Sequence, residues 1–236
     1  MLFKDLLDGF IDLFYPPRCL VCGVWKKEWL CEDCINNIDD SSLPFCCYCM
    51  KEFMDIPDIC SECNSSNFGC SLGYYEGVLR EAICKFKYEK KIILGQKLGE
   101  LMSRKFLIFF RPSSINIILP VPIHPVRMQV RGFNQAEILI RVLSSKCSIE
   151  YSFDFLQRVR DTYSQVKLPY DKREENVRDA FEIIDKDFSL RGKNILLIDD
   201  VFTTGSTIRE CIRVLSKTGV NRVFTMFLAR SWKTNF

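Results

Sequence analysis

One stretch near the C-terminal end of the chain combines two carboxylates with a turn rich in hydroxyl groups. Asp199 and Asp200 follow the apolar residues 195–198, and a short turn leads from them into a predicted helix. The turn consists of Thr203, Thr204, Gly205, Ser206 and Thr207 after two apolar residues. Backbone N–H groups at a helix start lack intrahelical partners and carry partial positive charge, so such a turn binds phosphate well. The stretch therefore predicts a monophosphate site.

The composition of the turn narrows the ligand further. Gly205 lets the backbone approach an anion closely, and the hydroxyl groups add donors. The turn has no lysine, which distinguishes it from the GxxxxGK[ST] nucleotide-binding loop. Because carboxylates repel phosphate, Asp199 and Asp200 are expected to contact neighbouring ribose hydroxyls instead. The alternative is an acidic turn before a helix capped by threonine and serine, without a ligand.

Apolar strands and amphipathic helices alternate around this turn. The predicted strands are residues 115–121, 194–198 and 222–228, with residues 199–206 as the exit loop of the second. The predicted helices are residues 92–110, 134–145 and 207–217, with Asn134 as N-cap and Gly219 as a terminator. Strand, loop, helix and strand in this order predict a βαβ crossover in a parallel sheet. Ligands of such sheets bind at the carboxyl ends of the strands.

Other polar segments suit a phosphorylated ligand. Pro122 and His124 belong to a stiff turn after the first predicted strand, and Arg127 and Arg131 supply cations for a charged, forked group. His124 is a candidate general base, although a histidine between prolines is more often a turn residue. Residues 158–176 form a long polar loop, which inside a compact domain is usually functional. The alternative for Arg127 and Arg131 is a solvated basic face, and the alternative for residues 158–176 is a plain surface loop.

Four CxxC pairs lie in the N-terminal part of the chain. They are Cys19, Cys22, Cys31, Cys34, Cys46, Cys49, Cys60 and Cys63. This spacing is strong evidence for tetrahedral zinc, and two pairs complete one site, so we expect two structural Zn²⁺ ions. Sequential pairing is the simplest arrangement, and crossed pairing is the alternative. Disulfides are less expected because the chain starts without a secretory signal. The other cysteines, Cys47 among them, lie outside this pattern.

Charge is distributed unevenly along the chain. Residues 1–76 contain 5 lysine and arginine residues against 13 acidic ones, whereas residues 77–131 contain 11 against 3. Phosphate contacts dominate DNA affinity, so the acidic cysteine module is a poor independent DNA-binding surface. Residues 77–131 are a more suitable DNA-binding surface, and their candidate residues are Lys85, Lys87, Tyr88, Lys90 and Lys91. The alternative interpretation of this basic stretch is an ordinary solvated helix face. No run reaches the roughly 18 apolar residues of a membrane span, so we expect a cytoplasmic protein without one.

Residues 199–207 resemble the motif with which type I phosphoribosyltransferases bind 5-phosphoribosyl pyrophosphate (PRPP). The resemblance implies that Asp199 and Asp200 bind the ribose 2′- and 3′-hydroxyls and that Thr203 to Thr207 hold the 5′-phosphate. It also implies that the loop at Pro122 receives pyrophosphate and that residues 158–176 form a lid. Mg²⁺ would accompany PRPP, because this ion prefers phosphate oxygens.

A wider resemblance, to the ComF family of competence-associated phosphoribosyltransferase-like proteins, covers nearly the whole chain. It rests on residues 13–19, 121–125 and 131–136, the last reading Arg-Gly-Phe-Asn-Gln-Ala, and on Arg173 with residues 176–177 and 180–181. The implied fold is an N-terminal helix and double zinc ribbon in residues 1–70, followed by an α/β type I phosphoribosyltransferase domain in residues 71–236.

Two functions from different classes remain open on these residues. The first is an enzyme that transfers a phosphoribosyl group from PRPP to an unknown acceptor, in the context of DNA uptake. The second is a non-catalytic module that uses the same fold to handle a nucleotide or single-stranded DNA together with competence-machinery proteins. A zinc-ribbon transcription factor fits poorly, because the ribbon is acidic and the phosphate turn would have no role.

Overall fold

The computed structural model of the chain describes residues 17–123, 125–160, 176–184 and 189–231. The strands are β1 Phe45–Cys46, β2 Phe68–Tyr74, β3 Ile117–Pro120, β4 Leu156–Arg158, β5 Phe181–Ile183, β6 Asn194–Phe202 and β7 Arg222–Arg230. The helices are α1 Glu32–Asn36, α2 Gly77–Tyr88, α3 Ile92–Phe109, α4 Pro125–Arg131, α5 Gln135–Cys147 and α6 Ser206–Ser216.

Five of the strands form a mostly parallel sheet. Their order is β1-β2-β7-β6-β3, in which β2, β7, β6 and β3 run parallel and β1 is antiparallel to β2. The strands β4 and β5 form a separate antiparallel pair. The apolar runs at residues 117–120 of β3 and 195–198 of β6 fit strands that are covered on both faces. The predicted parallel sheet with a βαβ crossover is confirmed.

Alternate residues of the central strands enter two apolar cores, one on each face of the sheet. The first core joins the sheet to α2, α3 and α5 and includes Phe86, Leu98 and Leu139. The second joins it to α6 and the β4–β5 pair and includes Phe202 and Ile212. Burying each of these large side chains contributes about 1.5–3 kcal/mol, so both faces hold the sheet firmly in place.

The cysteine-rich segment is packed directly on this sheet. Its strand β1 pairs with β2, and the hydroxyl groups of Ser42 and Ser71 lie 2.7 Å apart in a buried position. The Lys105 ammonium donates to the carbonyl of Asp40 at 2.5 Å. The predicted boundary between the ribbon and the α/β domain, between residues 70 and 71, falls within strand β2. This boundary stays a prediction. The ribbon is thus continuous with the α/β domain through backbone hydrogen bonds.

The structure confirms some predicted boundaries and corrects others. The side chain of Asn134 accepts a hydrogen bond from the Ala136 N–H at 3.0 Å, so it caps α5 as predicted. The predicted exit loop at residues 199–206 is wrong in its first half, because Asp199 and Phe202 still pair with β7 and extend β6. In the part of the chain that is described, no helix is long and apolar enough to cross a bilayer.

Candidate functional site

Asp200, one of the two acids near the end of β6, faces a lysine from a distant helix. The ammonium nitrogen of Lys87, in α2, lies 2.7 Å from Oδ1 of Asp200, and the side chains are only 10% and 15% exposed. Oδ1 of Asp199 accepts a hydrogen bond from the Asp200 backbone N–H at 2.8 Å. Asp200 is therefore charge-paired and Asp199 is held by the strand itself.

The surroundings of Asp199 change its affinity for a proton. Burial, and after it the adjacent charge of Asp200, raise the pKa of Asp199 from 3.8 to about 7. The charges of Lys87 and Arg158 act in the opposite direction on this pKa. Near neutral pH Asp199 is thus poised between a proton donor and an acceptor. Such a group can release its proton and then accept a hydrogen bond from a ligand hydroxyl.

The turn between β6 and α6 requires a glycine. Gly205 has a φ of +76°, a conformation that other residues adopt only with strain. A Cβ atom at this position would lie 2.8 Å from Cζ of Phe202 and 2.9 Å from Nη1 of Arg209. The same Arg209 nitrogen donates to the carbonyl of Thr204 at 2.9 Å. Backbone conformation and close packing together fix the shape of the turn.

The four hydroxyl groups of the turn divide into two kinds. Thr204 and Ser206 are buried, and their Oγ atoms lie 2.9 Å apart, so they brace the turn from within. Thr203 and Thr207 are partly exposed. A phosphate placed on the turn would therefore meet these two hydroxyls and the backbone N–H groups at the start of α6. The expectation that Thr203 to Thr207 hold a 5′-phosphate stays a prediction.

The carboxyl end of β3 lies beside that of β6. The Val121 N–H donates to the Ile198 carbonyl at 2.8 Å, which brings Pro122 next to the strand that carries the acids. Arg131 ends α4, where its Nη1 donates to Oε1 of Gln135 at 3.0 Å and its guanidinium lies 5.8 Å from the ring centroid of Tyr88. His124, Arg173 and the side chain of Arg127 lie outside the described residues.

The predicted lid lies largely outside the described residues, at positions 161–175. Its two flanks are joined by the β4–β5 ladder, in which Arg158 is opposite Phe181. The guanidinium of Arg160 also donates to the Asn176 carbonyl at 3.2 Å. The ends of this segment are therefore held together beside α6.

Lys87 fits neither interpretation of the basic stretch, a nucleic-acid surface or a solvated helix face. The structure places its largely buried side chain against Asp200. Lys85 is also engaged, since its ammonium donates to the Leu20 carbonyl at 2.7 Å. Tyr88, Lys90 and Lys91 do remain exposed. Lys87 follows the apolar Ile83 at the i+4 spacing of one helix face, but this spacing does not identify Asp200 as its partner.

The eight predicted cysteine ligands form two groups of four, paired sequentially. In each group the sulfur atoms all lie within 4.8 Å of one another. The separations are 3.7 Å for Cys19–Cys34 and Cys22–Cys31, 3.4 Å for Cys46–Cys63 and 3.5 Å for Cys49–Cys60. Sulfurs around a tetrahedral zinc with Zn–S of about 2.3 Å lie about 3.8 Å apart, so both groups fit structural zinc.

Cys47 lies outside both groups. Its thiol lies 3.3 Å from Oγ1 of Thr225 in the second core, as expected for a bystander to the zinc ligands.

Two family models match the chain and together cover most of it. The phosphoribosyl transferase domain matches residues 128–233, and the double zinc ribbon domain matches residues 10–64. Fold and site thus define a type I phosphoribosyltransferase-like α/β domain preceded by a double zinc ribbon. The resemblance to the ComF family is confirmed by competence and DNA utilization proteins that are homologous to most of the chain.

Similar proteins align over almost their full length. Competence protein F of Haemophilus influenzae is 29% identical over 228 residues, covering 92% of this chain and 99% of that protein. The DNA utilization protein YhgH of Salmonella typhimurium is 26% identical and covers 90% of each chain. Competence protein ComFC of Streptococcus pneumoniae is 24% identical, covering 90% of this chain and all of the relative.

Among solved structures, two phosphoribosyl-handling enzymes show a distant likeness. A hypoxanthine phosphoribosyltransferase of Staphylococcus aureus gives a TM-score of 0.36 at 16% identity, covering 61% of this chain and 65% of its own. Glutamine PRPP amidotransferase of B. subtilis gives a TM-score of 0.41 at 15% identity, covering 62% of this chain and 30% of that chain. The family assignment rests on the family models and the competence relatives.

Proposed function

We propose that the chain binds PRPP, or a nucleotide containing ribose 5-phosphate, and transfers the phosphoribosyl group to an acceptor during DNA uptake. One observation carries this proposal: two acids lie near the end of β6, shortly before a glycine-dependent turn at the start of α6. The 5′-phosphate would occupy the turn, next to Thr203 and Thr207. The ribose hydroxyls would face Asp199 and Asp200.

The chemistry is a displacement at the anomeric carbon of the ribose. The bond from C1′ to the pyrophosphate oxygen breaks, and a bond from C1′ to the acceptor forms. Positive charge develops on the ring, as in glycoside hydrolysis, and the carboxylates beside the ribose stabilise it. Lys87 keeps the local charge of the acid pair balanced before the ligand arrives. If Mg²⁺ is bound together with PRPP, the negative charge of the leaving pyrophosphate would be neutralised by this ion.

The cellular setting is inferred from the relatives and the cysteines. Several relatives are named for competence or DNA utilization, which supports a role in handling incoming DNA. The two Cys₄ groups need thiolates, and a reducing compartment preserves them, so we infer a cytoplasmic location. The two groups would hold two structural Zn²⁺ ions.

A second candidate function is a non-catalytic module that handles single-stranded DNA. The exposed ring of Tyr88 supports it, because it is 66% exposed and lies next to the exposed Lys90 and Lys91. Exposed aromatic rings among cations are the usual platform for stacked bases. This candidate needs the α/β fold only as a scaffold.

Pyrophosphate release separates the two candidates. The full chain is incubated with PRPP and Mg²⁺ in the presence of candidate acceptors, and released pyrophosphate is measured. Release that disappears in Asp200→Asn and persists in Glu100→Gln, an acid of the exposed Lys97–Glu100 pair, supports transfer. DNA binding that survives Asp200→Asn, without release for any acceptor, supports the non-catalytic module.

A further inference from the structure

The second cysteine group is built into one end of the five-stranded sheet. Cys46, one of its four zinc ligands, lies in β1 and is opposite Phe68 of β2. The N–H of Cys46 donates to the Lys51 carbonyl at 2.9 Å, and its carbonyl accepts from the Met50 N–H at 3.0 Å. The turn that carries two of the zinc ligands is therefore closed by a residue of the sheet itself.

The residue before this zinc ligand, Phe45, connects the second group to the phosphate turn. Phe45 is fully buried, and its ring centroid lies 4.8 Å from that of Phe202 in an edge-to-face arrangement. Phe202 is the last residue of β6, and its Cζ atom would lie 2.8 Å from a Cβ atom at Gly205. Two packed aromatic rings thus extend from the second cysteine group to the backbone of the turn.

A second contact joins the same ribbon to the strand beside the turn. Glu52 pairs with Phe45 in an isolated β-bridge and forms an ion pair with Arg230 of β7. Arg230 is only 5% exposed, and its backbone is opposite Phe202 in the β6–β7 ladder. The two contacts therefore meet at Phe202, one at its ring and the other at its strand position.

The first cysteine group packs in a different place. Its zinc ligands Cys19, Cys31 and Cys34 belong to the first core, together with residues of α2. Phe202 and the apolar residues of α6 belong to the second core, on the other face of the sheet. The two groups have the same chemistry but different neighbours, so each serves as the control for the other.

Zinc is needed to keep the second ribbon folded. Its own apolar cluster is small and consists of Cys46, Cys60 and Phe68, with Cys49, Phe53 and Ile56 packed against it. A segment with so small a core depends on a metal ion, and the free energy of metal binding then becomes free energy of folding. Without zinc this ribbon would open locally, while the two large cores keep the α/β domain folded.

We propose that zinc in the second cysteine group controls the conformation of the phosphate turn. With zinc bound, the Phe45 ring supports Phe202 and the turn keeps its shape at Gly205. When the zinc is lost, Phe45 and Glu52 leave their contacts, and the backbone N–H groups at the start of α6 lose their fixed orientation. The assignment of a phosphate to this turn rests on the proposed function. Because coupling between two sites is reciprocal, a phosphate on the turn should in return raise the zinc affinity of the second group.

The first test is hydrogen–deuterium exchange of the full chain, which needs no ligand. Cys63→Ser removes an exposed zinc ligand of the second group, and Cys22→Ser removes an exposed one of the first. We expect the backbone N–H groups of residues 203–208 to exchange about tenfold faster in Cys63→Ser and at an unchanged rate in Cys22→Ser. Exchange in α5 should be unchanged in Cys63→Ser, which would show that the α/β domain stays folded.

Phe45→Leu separates the aromatic contact from the metal. This variant keeps all eight zinc ligands, so it should retain two zinc ions per chain while the turn exchanges faster. Asp58→Asn is the matched control within the same ribbon. Asp58 is 98% exposed at its side chain and pairs with Arg222 at 3.0 Å, at the opposite end of β7 from Arg230. Its loss should leave exchange in the turn unchanged.

The second test measures ribose 5-phosphate binding and zinc release on the same chains. We expect Cys63→Ser and Phe45→Leu each to bind ribose 5-phosphate about tenfold more weakly. Saturating ribose 5-phosphate should slow the removal of one of the two zinc ions by a chelator, and that ion should be absent from Cys63→Ser.

Two results would overturn the inference: unchanged exchange in the turn of Cys63→Ser, or equal effects of Cys63→Ser and Cys22→Ser on that turn. If no chain binds ribose 5-phosphate but exchange follows the expected pattern, the proposed function fails and the control of the turn by zinc stands. If ribose 5-phosphate binds equally to all variants, the phosphate site stands and the control by zinc fails.

Discussion

Lys87 and Asp200 form an ion pair of 2.7 Å between α2 and the end of β6, and both side chains are largely buried. The pair links the first core, in which α2 packs, to the strand that ends at the phosphate turn. The ammonium of Lys87 also compensates the negative charge of Asp200 beside Asp199. The acid pair is thus part of the folding of the domain as well as of its candidate chemistry.

A double-mutant cycle on Lys87→Met and Asp200→Asn should show strong coupling. Removing either partner leaves a poorly solvated charge, and breaking such pairs costs about 3–5 kcal/mol. We expect each single variant to lose about 3 kcal/mol of unfolding free energy, and the double variant to lose less than the sum. Urea denaturation measures all three.

The exposed pair Lys97–Glu100 is the control for this cycle. Its atoms lie 2.9 Å apart, but its side chains are 35% and 40% exposed. Exposed pairs contribute about 0.2–1 kcal/mol, so its coupling should fall in that range. Equal coupling in the two cycles would show that burial does not strengthen the Lys87–Asp200 pair.

The raised pKa of Asp199 predicts a loss of stability with rising pH. In the folded chain burial holds this pKa at about 7, against an ordinary value of 3.8. Between these values the unfolded chain ionises while the folded chain keeps its proton, so unfolding becomes easier as pH rises. Asp199→Asn should remove this loss of stability. The stability of the variant relative to the unmodified chain should therefore be greater at pH 8 than at pH 4. Thermal unfolding across that range is the measurement, and parallel curves would contradict it.

Gly205→Ala should impair both folding and phosphate binding. The new Cβ would meet Phe202 and Arg209 at less than 3 Å and would also hold a positive φ. Gly192→Ala is the matched control for Gly205→Ala. Gly192 also has a positive φ, of +71°, but nothing lies within 4 Å of the added Cβ atom. We expect a loss of about 1 kcal/mol at Gly192 and more at Gly205. Ribose 5-phosphate binding should weaken about tenfold only at Gly205, and equal effects would argue against a shaped turn.

Zinc content should follow the two cysteine groups independently. Cys22→Ser should reduce zinc from two ions to one per chain, and so should Cys63→Ser, because each residue belongs to a different group. Cys84→Ser, outside both groups, should keep two. Inductively coupled plasma mass spectrometry of the purified chains gives the count. Loss of both ions in a single variant would indicate a shared or crossed cluster instead.

Features encoded in a short stretch of sequence were predictable. The acids, the glycine turn and the Asn134 cap each depend on neighbours within a few residues, and their elements are present in the structure. The CxxC spacing likewise predicted two groups of four sulfurs. The end of β6 was placed too early, because its extension depends on pairing with β7, which local polarity does not reveal.

Features formed by distant residues were missed. The pairing of Lys87 with Asp200 depends on how α2 packs against the end of β6. The contact between Glu52 and Arg230 exists only because β1 extends the sheet through β2 and so places the second ribbon over the strand ends. Neither contact has a local sequence signal, so both required the three-dimensional arrangement.

Calorimetric titration of the full, zinc-loaded chain with PRPP and Mg²⁺, and with ribose 5-phosphate, measures directly whether the chain binds a ribose phosphate. We expect one site per chain for each ligand. Asp200→Asn should weaken binding at least about tenfold, because it removes a charged acceptor of hydrogen bonds, and Asp58→Asn should leave it unchanged. The absence of binding by either ligand, or equal affinity in the Asp200→Asn variant, would contradict a ribose phosphate site at the end of β6.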